Sequence, residues 1–127
     1  MKRIWIVDDD EEMNRAIGLM LNMLDCEVMA FQSARATAQT LLTGKRPDLM
    51  VLDINMPEVS GLDLLEFIRR RKEWKDLPVI MLSSEASDTM VDRAMQMGAD
   101  SYLIKPITIE ELEKAMEAAL QKRESVK

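Results

Sequence analysis

The chain has 127 residues, of which 47% are hydrophobic and 31% charged, and its formal net charge is −6. This length fits a single domain with one core, and the composition is typical of a globular protein rather than a disordered one. The acidic balance argues against direct nucleic-acid binding, because phosphate backbones are bound by basic surfaces, and no apolar run is long enough to span a membrane.

The first half of the chain alternates short apolar runs with segments of helical periodicity. Ile4–Val7 is apolar without interruption, which predicts a strand buried on both faces of a parallel sheet. Apolar residues then recur at helical spacing within Glu11–Leu24. A second strand is predicted at about Cys26–Phe31 and a second helix at about Ala34–Leu42, with Ser33 as its N-cap.

The second half of the chain continues this alternation. Three more strands are predicted, at Leu49–Leu52, Leu77–Leu82 and Ser101–Ile104. The remaining helices are predicted to start near Leu62, Ser87 and Thr108, and the last start is marked by a capping box of Thr108 and Glu111. The strict alternation of apolar strands and helices predicts one α/β domain, a parallel sheet with helices on both faces.

Polar side chains gather where the predicted strands end. Ligands of open α/β sheets bind outside the carboxyl ends of the strands, and this chain places there Asp8, Asp9, Asp53, Ser83 and Lys105. The sequence contains no histidine, so carboxylates are the main candidates for chemistry. Two like charges about 4 Å apart cost about 4 kcal/mol at an effective dielectric of about 20, and Lys105 alone cannot balance three carboxylates. A hard divalent cation, Mg²⁺ or Mn²⁺, can balance them, which predicts a phosphoryl-handling site.

Four motifs contain these residues: Ile6–Asp10, Asp48–Pro57 with Gly61 after it, Pro78–Ser84, and Gly98–Pro106. In this order on the predicted strand ends, they make the chain resemble the receiver domain of two-component response regulators over essentially its whole length. The resemblance implies a flavodoxin-like (βα)5 domain, with a five-stranded parallel sheet in the strand order 2-1-3-4-5. We accordingly assign residues 1–122 to a receiver domain and residues 123–127 to a polar tail.

The resemblance assigns the acidic residues to phosphoryl transfer. Asp53 is implied to be the phosphoacceptor, whose carboxylate attacks phosphorus and forms a mixed anhydride. Asp8, Asp9, Asp53 and the backbone carbonyl of Asn55 are implied to be ligands of Mg²⁺ or Mn²⁺. The alternative for an acidic residue after the first strand is capping of the first helix, since a helix N-terminus favours carboxylates, and Asp10 fits that alternative best.

The other residues at the strand ends receive supporting roles from the same resemblance. Lys105 is implied to pair with the acceptor carboxylate and then with a phosphoryl oxygen, and its bond to Pro106 is implied to be a cis peptide. Ser83 is implied to supply a hydroxyl that hydrogen-bonds the phosphoryl group. Tyr102 either follows that hydroxyl as a switch residue or is a half-buried strand tyrosine. The residues implied to tune hydrolysis of the phosphoryl group are Asn55 and Glu85.

These roles imply a signalling phosphoacceptor rather than an enzyme that turns over an external substrate. The phosphoryl donor would be a histidine kinase or a histidine phosphotransfer protein, and the phosphorylated form would bind a downstream protein, or a second copy, through the last two helices and the fifth strand. The single cysteine, Cys26, and an N-terminus without a signal-peptide pattern favour a cytoplasmic protein with no membrane insertion. Two alternatives stay open, a degenerate receiver that only binds partners and a Mg²⁺-dependent phosphohydrolase.

Overall fold

The computed structural model describes residues 1–125, as five β-strands that alternate with five α-helices. The strands are β1 (Lys2–Val7), β2 (Cys26–Phe31), β3 (Leu49–Asp53), β4 (Val79–Ser83) and β5 (Ser101–Ile104). The helices are α1 (Glu11–Met23), α2 (Ala34–Leu42), α3 (Gly61–Arg70), α4 (Asp88–Gln96) and α5 (Ile109–Ser125). Within these residues, no helix is both long enough and apolar enough to cross a membrane.

The five strands lie parallel in one sheet, in the order β2-β1-β3-β4-β5. This confirms the α/β class and the strand order that the resemblance implied. The register pairs Val7 with Leu52, and Asp53 with Leu82, so β1, β3 and β4 end beside one another. Residues that follow these strands are therefore collected at one edge of the sheet.

The apolar strands are buried because helices cover both faces of the sheet. Every residue of β3 is buried, and its side chains alternate between two core clusters. Leu52 lies in the cluster that includes Leu65 of α3, whereas Val51 lies in the cluster that includes Ile17 of α1 and Leu112 of α5. Each buried Leu or Ile side chain stabilises the fold by about 1.5–3 kcal/mol, so the central strands form a firm support for the residues at their ends.

Side-chain caps fix where the helices begin. Asp10, Ser33 and Ser87 cap α1, α2 and α4 by accepting hydrogen bonds from backbone N–H groups. At α5, the backbone N–H of Thr108 donates to Glu111 Oε1 at 2.9 Å, and that of Glu111 donates to Thr108 Oγ1 at 3.1 Å. The cap predicted at Ser33 and the capping box predicted at Thr108 are thereby confirmed, and Asp10 and Ser87 serve as the caps of α1 and α4.

Strand β4 begins at Val79, two residues after the predicted start at Leu77. The backbone N–H of Leu77 is taken up in the preceding turn, where it donates to Trp74 O at 3.0 Å. Pro78 has no N–H to give to a neighbouring strand. An apolar sequence therefore extends further than the strand itself.

Helix α5 extends into the stretch that the sequence assigns to a polar tail. The helix continues to Ser125, and Arg123 Nε donates to Asp100 Oδ1 at 2.7 Å. The fully buried Asp100 carboxylate also accepts from Arg69 Nη2 at 3.1 Å and from the backbone N–H of Val79 at 2.9 Å. This ion-pair cluster joins α3, β4 and α5 and holds Arg123 in the domain, while residues 126 and 127 of the predicted tail lie outside the described residues.

Candidate functional site

Asp8 and Asp9 follow β1 and begin the loop to α1. Asp8 is only 2% exposed, whereas Asp9 is exposed. The backbone N–H of Asp8 donates to Phe31 O at 3.0 Å, and that of Asp10 donates to Asp8 Oδ1 at 2.9 Å. The loop therefore leaves the sheet with one carboxylate inside the molecule and the next at its surface.

Asp53 is the last residue of β3 and is 4% exposed. The start of α3 passes so close to its backbone that a Cβ on Gly61 would overlap the Asp53 carbonyl oxygen. The backbone N–H of Gly61 donates to Ile54 O at 3.0 Å, which fixes this approach. Only glycine allows the close contact, so Gly61 of the sequence motif serves to position the end of β3.

Lys105 follows β5 and brings its ammonium group to two of the carboxylates. The Lys105 Nζ lies 3.0 Å from Asp53 Oδ1 and 3.1 Å from Asp8 Oδ2. The backbone N–H of Lys105 donates to Ser83 O at 2.8 Å, and the peptide bond between Lys105 and Pro106 is cis. Side chains at the ends of three different strands are thus joined through the Lys105 ammonium.

Burial and the hydrogen bonds of Lys105 together set the ionisation of this group. Removal from water raises the pKa of Asp53 and repulsion from Asp8 adds to it, whereas the hydrogen bond from Lys105 offsets the rise only in part. Burial lowers the pKa of Lys105, but its hydrogen bonds to Asp53 and Asp8 outweigh that effect and leave the pKa raised. The carboxylates therefore favour the charged form of Lys105. The charge of Lys105 does not fully offset the cost of burying the Asp53 carboxylate.

The three carboxylates at this edge can bind one metal ion together. Asp8, Asp9 and Asp53 each offer an oxygen, and these oxygens all lie within 4.8 Å of one another. A donor set of carboxylate oxygens, without histidine or cysteine, matches hard cations. Because one ammonium faces three carboxylates, the group has excess negative charge that a divalent ion would neutralise. The residues present therefore fit Mg²⁺ or Mn²⁺.

Ser83 lies at the end of β4 and connects the site to the loop before α4. Its buried hydroxyl oxygen accepts from the backbone N–H of Glu85 at 3.0 Å. Asn55 Nδ2 lies 3.5 Å from the same oxygen, at the limit of a hydrogen bond. The Tyr102 hydroxyl donates to Glu85 O at 2.9 Å. These four predicted residues are thus linked in one group, in which Glu85 takes part through its backbone.

Asn14 is a residue beside this site that sequence reasoning missed. It is 6% exposed, and its Nδ2 donates to Asp8 O at 2.9 Å and to Phe31 O at 3.2 Å. The periodicity of α1 could have identified Asn14 as a buried polar residue, because positions 14, 17, 18 and 21 form the buried face of the helix. A polar side chain on that face requires a partner, since burial without a hydrogen bond is unfavourable.

Comparisons with known proteins relate this chain and its fold to a known family. Residues 4–117 match the family described as the response regulator receiver domain. A chemotaxis protein CheY homolog of Campylobacter jejuni is 34% identical over 120 residues, which cover 93% of this chain and 92% of that protein. Protein RcaC of Microchaete diplosiphon is 32% identical over 120 residues, which cover 94% of this chain but only 18% of RcaC. The solved structure of chemotaxis protein CheY4 of Vibrio cholerae has a TM-score of 0.85 at 27% identity, covering 94% of this chain and 99% of that one.

Proposed function

We propose, since this chain belongs to the response regulator receiver family, that Asp53 accepts a phosphoryl group from a histidine kinase or a histidine phosphotransfer protein. Phosphoryl acceptance in two-component signalling is the general function of that family. The observation that carries the proposal for this chain is the Lys105 ammonium, which bonds both Asp53 and Asp8 beside a third carboxylate, that of Asp9. The side chains that cap α1–α4 are other residues, and Asp8 and Asp53 are buried rather than at the surface.

Asp53 supplies the nucleophile in the proposed reaction. A carboxylate oxygen attacks the phosphorus of a phosphohistidine, a P–O bond forms as the P–N bond breaks, and the electron pair of the broken bond returns to the imidazole. Lys105 Nζ, 3.0 Å from Asp53 Oδ1, is placed to neutralise charge on the oxygens of the incoming group. The chain contributes mainly position and charge to this transfer.

Receiver domains bind Mg²⁺ at an acidic pocket. In this chain we propose that Asp8, Asp9 and Asp53 hold the ion, together with the backbone carbonyl of Asn55. When bound, the ion supplies neutralisation of the charge on the transferred phosphoryl group. Asp8 also accepts a hydrogen bond from Lys105, so the same carboxylate keeps the ammonium next to Asp53.

The phosphorylated form is proposed to act through other proteins. Ser83 and Lys105 would bind the phosphoryl oxygens, and Tyr102 would follow the movement of Ser83 through the loop before α4. The surface formed by α4, β5 and α5 would then bind a downstream protein or a second copy. Ile104, 42% exposed, and Met95, 37% exposed, supply apolar area there. We place this activity in the cytoplasm.

Two other functions would use the same fold differently. A degenerate receiver would bind partners without phosphorylation, and a Mg²⁺-dependent phosphohydrolase would turn over an external phosphate ester. The first would leave the contact between Lys105 and Asp53 without a chemical role. The second requires a bound external substrate, whereas the described side-chain hydrogen bond of Asp53 is to Lys105 of the same chain.

Intact-mass measurement after incubation with phosphoramidate and Mg²⁺ separates these functions. The proposal predicts a gain of one phosphoryl group, its loss in Asp53→Asn, and its retention in the control Asp92→Asn, which changes an exposed carboxylate of α4. No gain in the folded wild-type chain would contradict the proposal and leave the degenerate receiver. Continuous release of phosphate from p-nitrophenyl phosphate would instead support the hydrolase.

A further inference from the structure

We infer that Asn14 is a positioning residue that fixes the Asp8–Asp9 peptide unit and thereby sets where the two carboxylates meet a metal ion. The inference rests on the proposed function, because it concerns the same metal-binding carboxylates. Asn14 lies one turn into α1 and is 6% exposed. Among the described residues its side chain hydrogen-bonds backbone carbonyls and no carboxylate, so its effect on the metal would pass through the backbone.

The contacts of the Asn14 amide define this role. Its Nδ2 donates to Asp8 O at 2.9 Å and to Phe31 O at 3.2 Å, and Phe31 O also accepts from the backbone N–H of Asp8 at 3.0 Å. One amide group therefore joins α1 to the ends of both β1 and β2. Asp8 O belongs to the peptide unit between Asp8 and Asp9, so the bond opposes rotation of the unit that orients Asp9.

The Asn14 bond differs from two of the other restraints on this loop in the atoms that it occupies. The backbone N–H of Asp10 and the ammonium of Lys105 both bond carboxylate oxygens of Asp8, the atoms that a metal ion would need. Asn14 bonds a backbone carbonyl and leaves the carboxylates available. It can therefore hold the loop in one geometry before and after an ion binds.

The other half of the Asn14 amide supports the same conclusion. Its Oδ1 is buried and has no hydrogen-bond partner among the described residues. An unpaired buried oxygen is unfavourable, and an apolar side chain of similar size would avoid it. What asparagine contributes at this position is therefore the donor, which is directed at the loop that carries Asp8 and Asp9.

Titration of the unphosphorylated chain with Mn²⁺, followed by electron paramagnetic resonance, tests this role directly. Asn14→Leu keeps the size and removes the donor, and we expect its Mn²⁺ dissociation constant to rise about tenfold, the lower end of what loss of a residue that orients metal ligands costs. Asn14→Ala is the second variant, so that a failure of one to fold does not decide the question. The control is Thr37→Val, which removes a hydrogen bond of another buried polar side chain, from Thr37 Oγ1 to Ser33 O at 2.9 Å, within α2 and its cap rather than to the loop that carries Asp8 and Asp9.

The outcomes separate the two proposals. Absence of Mn²⁺ binding by the wild-type chain would contradict the proposed function. Wild-type binding with unchanged affinity in a folded Asn14 variant would overturn the positioning role, and so would an equal loss in Thr37→Val. The positioning role also predicts that saturating Mg²⁺ restores phosphorylation of Asn14→Leu by phosphoramidate, because the nucleophile itself is unaltered.

Discussion

Replacement of Asp53 by asparagine is expected to stabilise the metal-free protein. Asp53 is 4% exposed, and one of its oxygens lies within 4.8 Å of oxygens of Asp8 and Asp9. The compensating contact is Lys105 Nζ at 3.0 Å. Asparagine keeps the shape of the side chain and removes the charge, so the substitution isolates the electrostatic cost of the site.

The size of the effect follows from these separations. At an effective dielectric of about 20, each repulsion costs about 3–4 kcal/mol and the attraction to Lys105 contributes about 5–6 kcal/mol. Solvent weakens the repulsion between the exposed Asp9 and Asp53. The total repulsion and the attraction to Lys105 therefore nearly cancel. The desolvation of the buried carboxylate then decides the sign. Because Lys105 keeps Asp8 as its partner, we expect the free energy of unfolding to rise by about 1–2 kcal/mol.

The pH dependence has a definite direction. Burial is the main cause that raises the pKa of Asp53 above its ordinary value of 3.8. A group with a raised pKa in the folded state stabilises that state below its ordinary pKa, and the contribution is lost as pH rises through the folded-state pKa. The free energy of unfolding of Asp53→Asn therefore exceeds that of the wild type least in acid, and by its full amount at neutral pH.

Urea unfolding in the presence of EDTA, at neutral and at acidic pH, measures both the size and the direction. Asp92→Asn, which neutralises an exposed carboxylate, serves as the control and should change little. The reasoning fails if Asp53→Asn is less stable than the wild type at neutral pH, or if its advantage grows toward acid. In the absence of EDTA, added Mg²⁺ should reduce the difference in the free energy of unfolding between Asp53→Asn and the wild type, because an ion that binds the folded wild type stabilises it.

Three further substitutions test other contacts of the structure. Lys105→Met should abolish phosphorylation by phosphoramidate and lower the free energy of unfolding by about 1–3 kcal/mol, because two buried carboxylates lose their shared ammonium; intact mass and urea unfolding measure the two effects. Gly61→Ala should destabilise the chain in urea by about 1–3 kcal/mol, because the added Cβ overlaps the Asp53 carbonyl oxygen, and equal stability would contradict the close approach. Arg123→Ala should lower stability by about 1–3 kcal/mol with phosphorylation retained, and Lys114→Ala on the exposed face of α5 should have no comparable effect.

The strand pattern made most of the fold predictable. Runs such as Ile4–Val7 and Leu49–Leu52 are apolar throughout. Both faces of such a strand must be buried, as they are between two layers of helices. The order of the strands is a different matter. Alternation of strands and helices restricts the connections but does not order the strands, so the order came from the resemblance of the motifs to a family.

The candidate site was predictable for a topological reason. Asp8, Asp53 and Lys105 each follow a strand, and the carboxyl ends of parallel strands must meet at one edge whatever the loops do. No comparable rule connects Asp100 to Arg69 and Arg123, which lie 31 and 23 residues away along the chain. Their pairing depends on where helices end in space, and for that reason Arg123 was assigned to a polar tail.

The backbone of Glu85 connects the proposed chemistry at Asp53 to the outer strand of the sheet. Its N–H is bonded to the Ser83 hydroxyl and its carbonyl to the Tyr102 hydroxyl. If Ser83 moves toward a phosphoryl group on Asp53, the Glu85 N–H either moves with it or loses its acceptor. If the N–H moves with Ser83, the carbonyl of the same residue shifts relative to Tyr102 of β5. Under the proposed function, these two hydrogen bonds would carry the change from the site to β5.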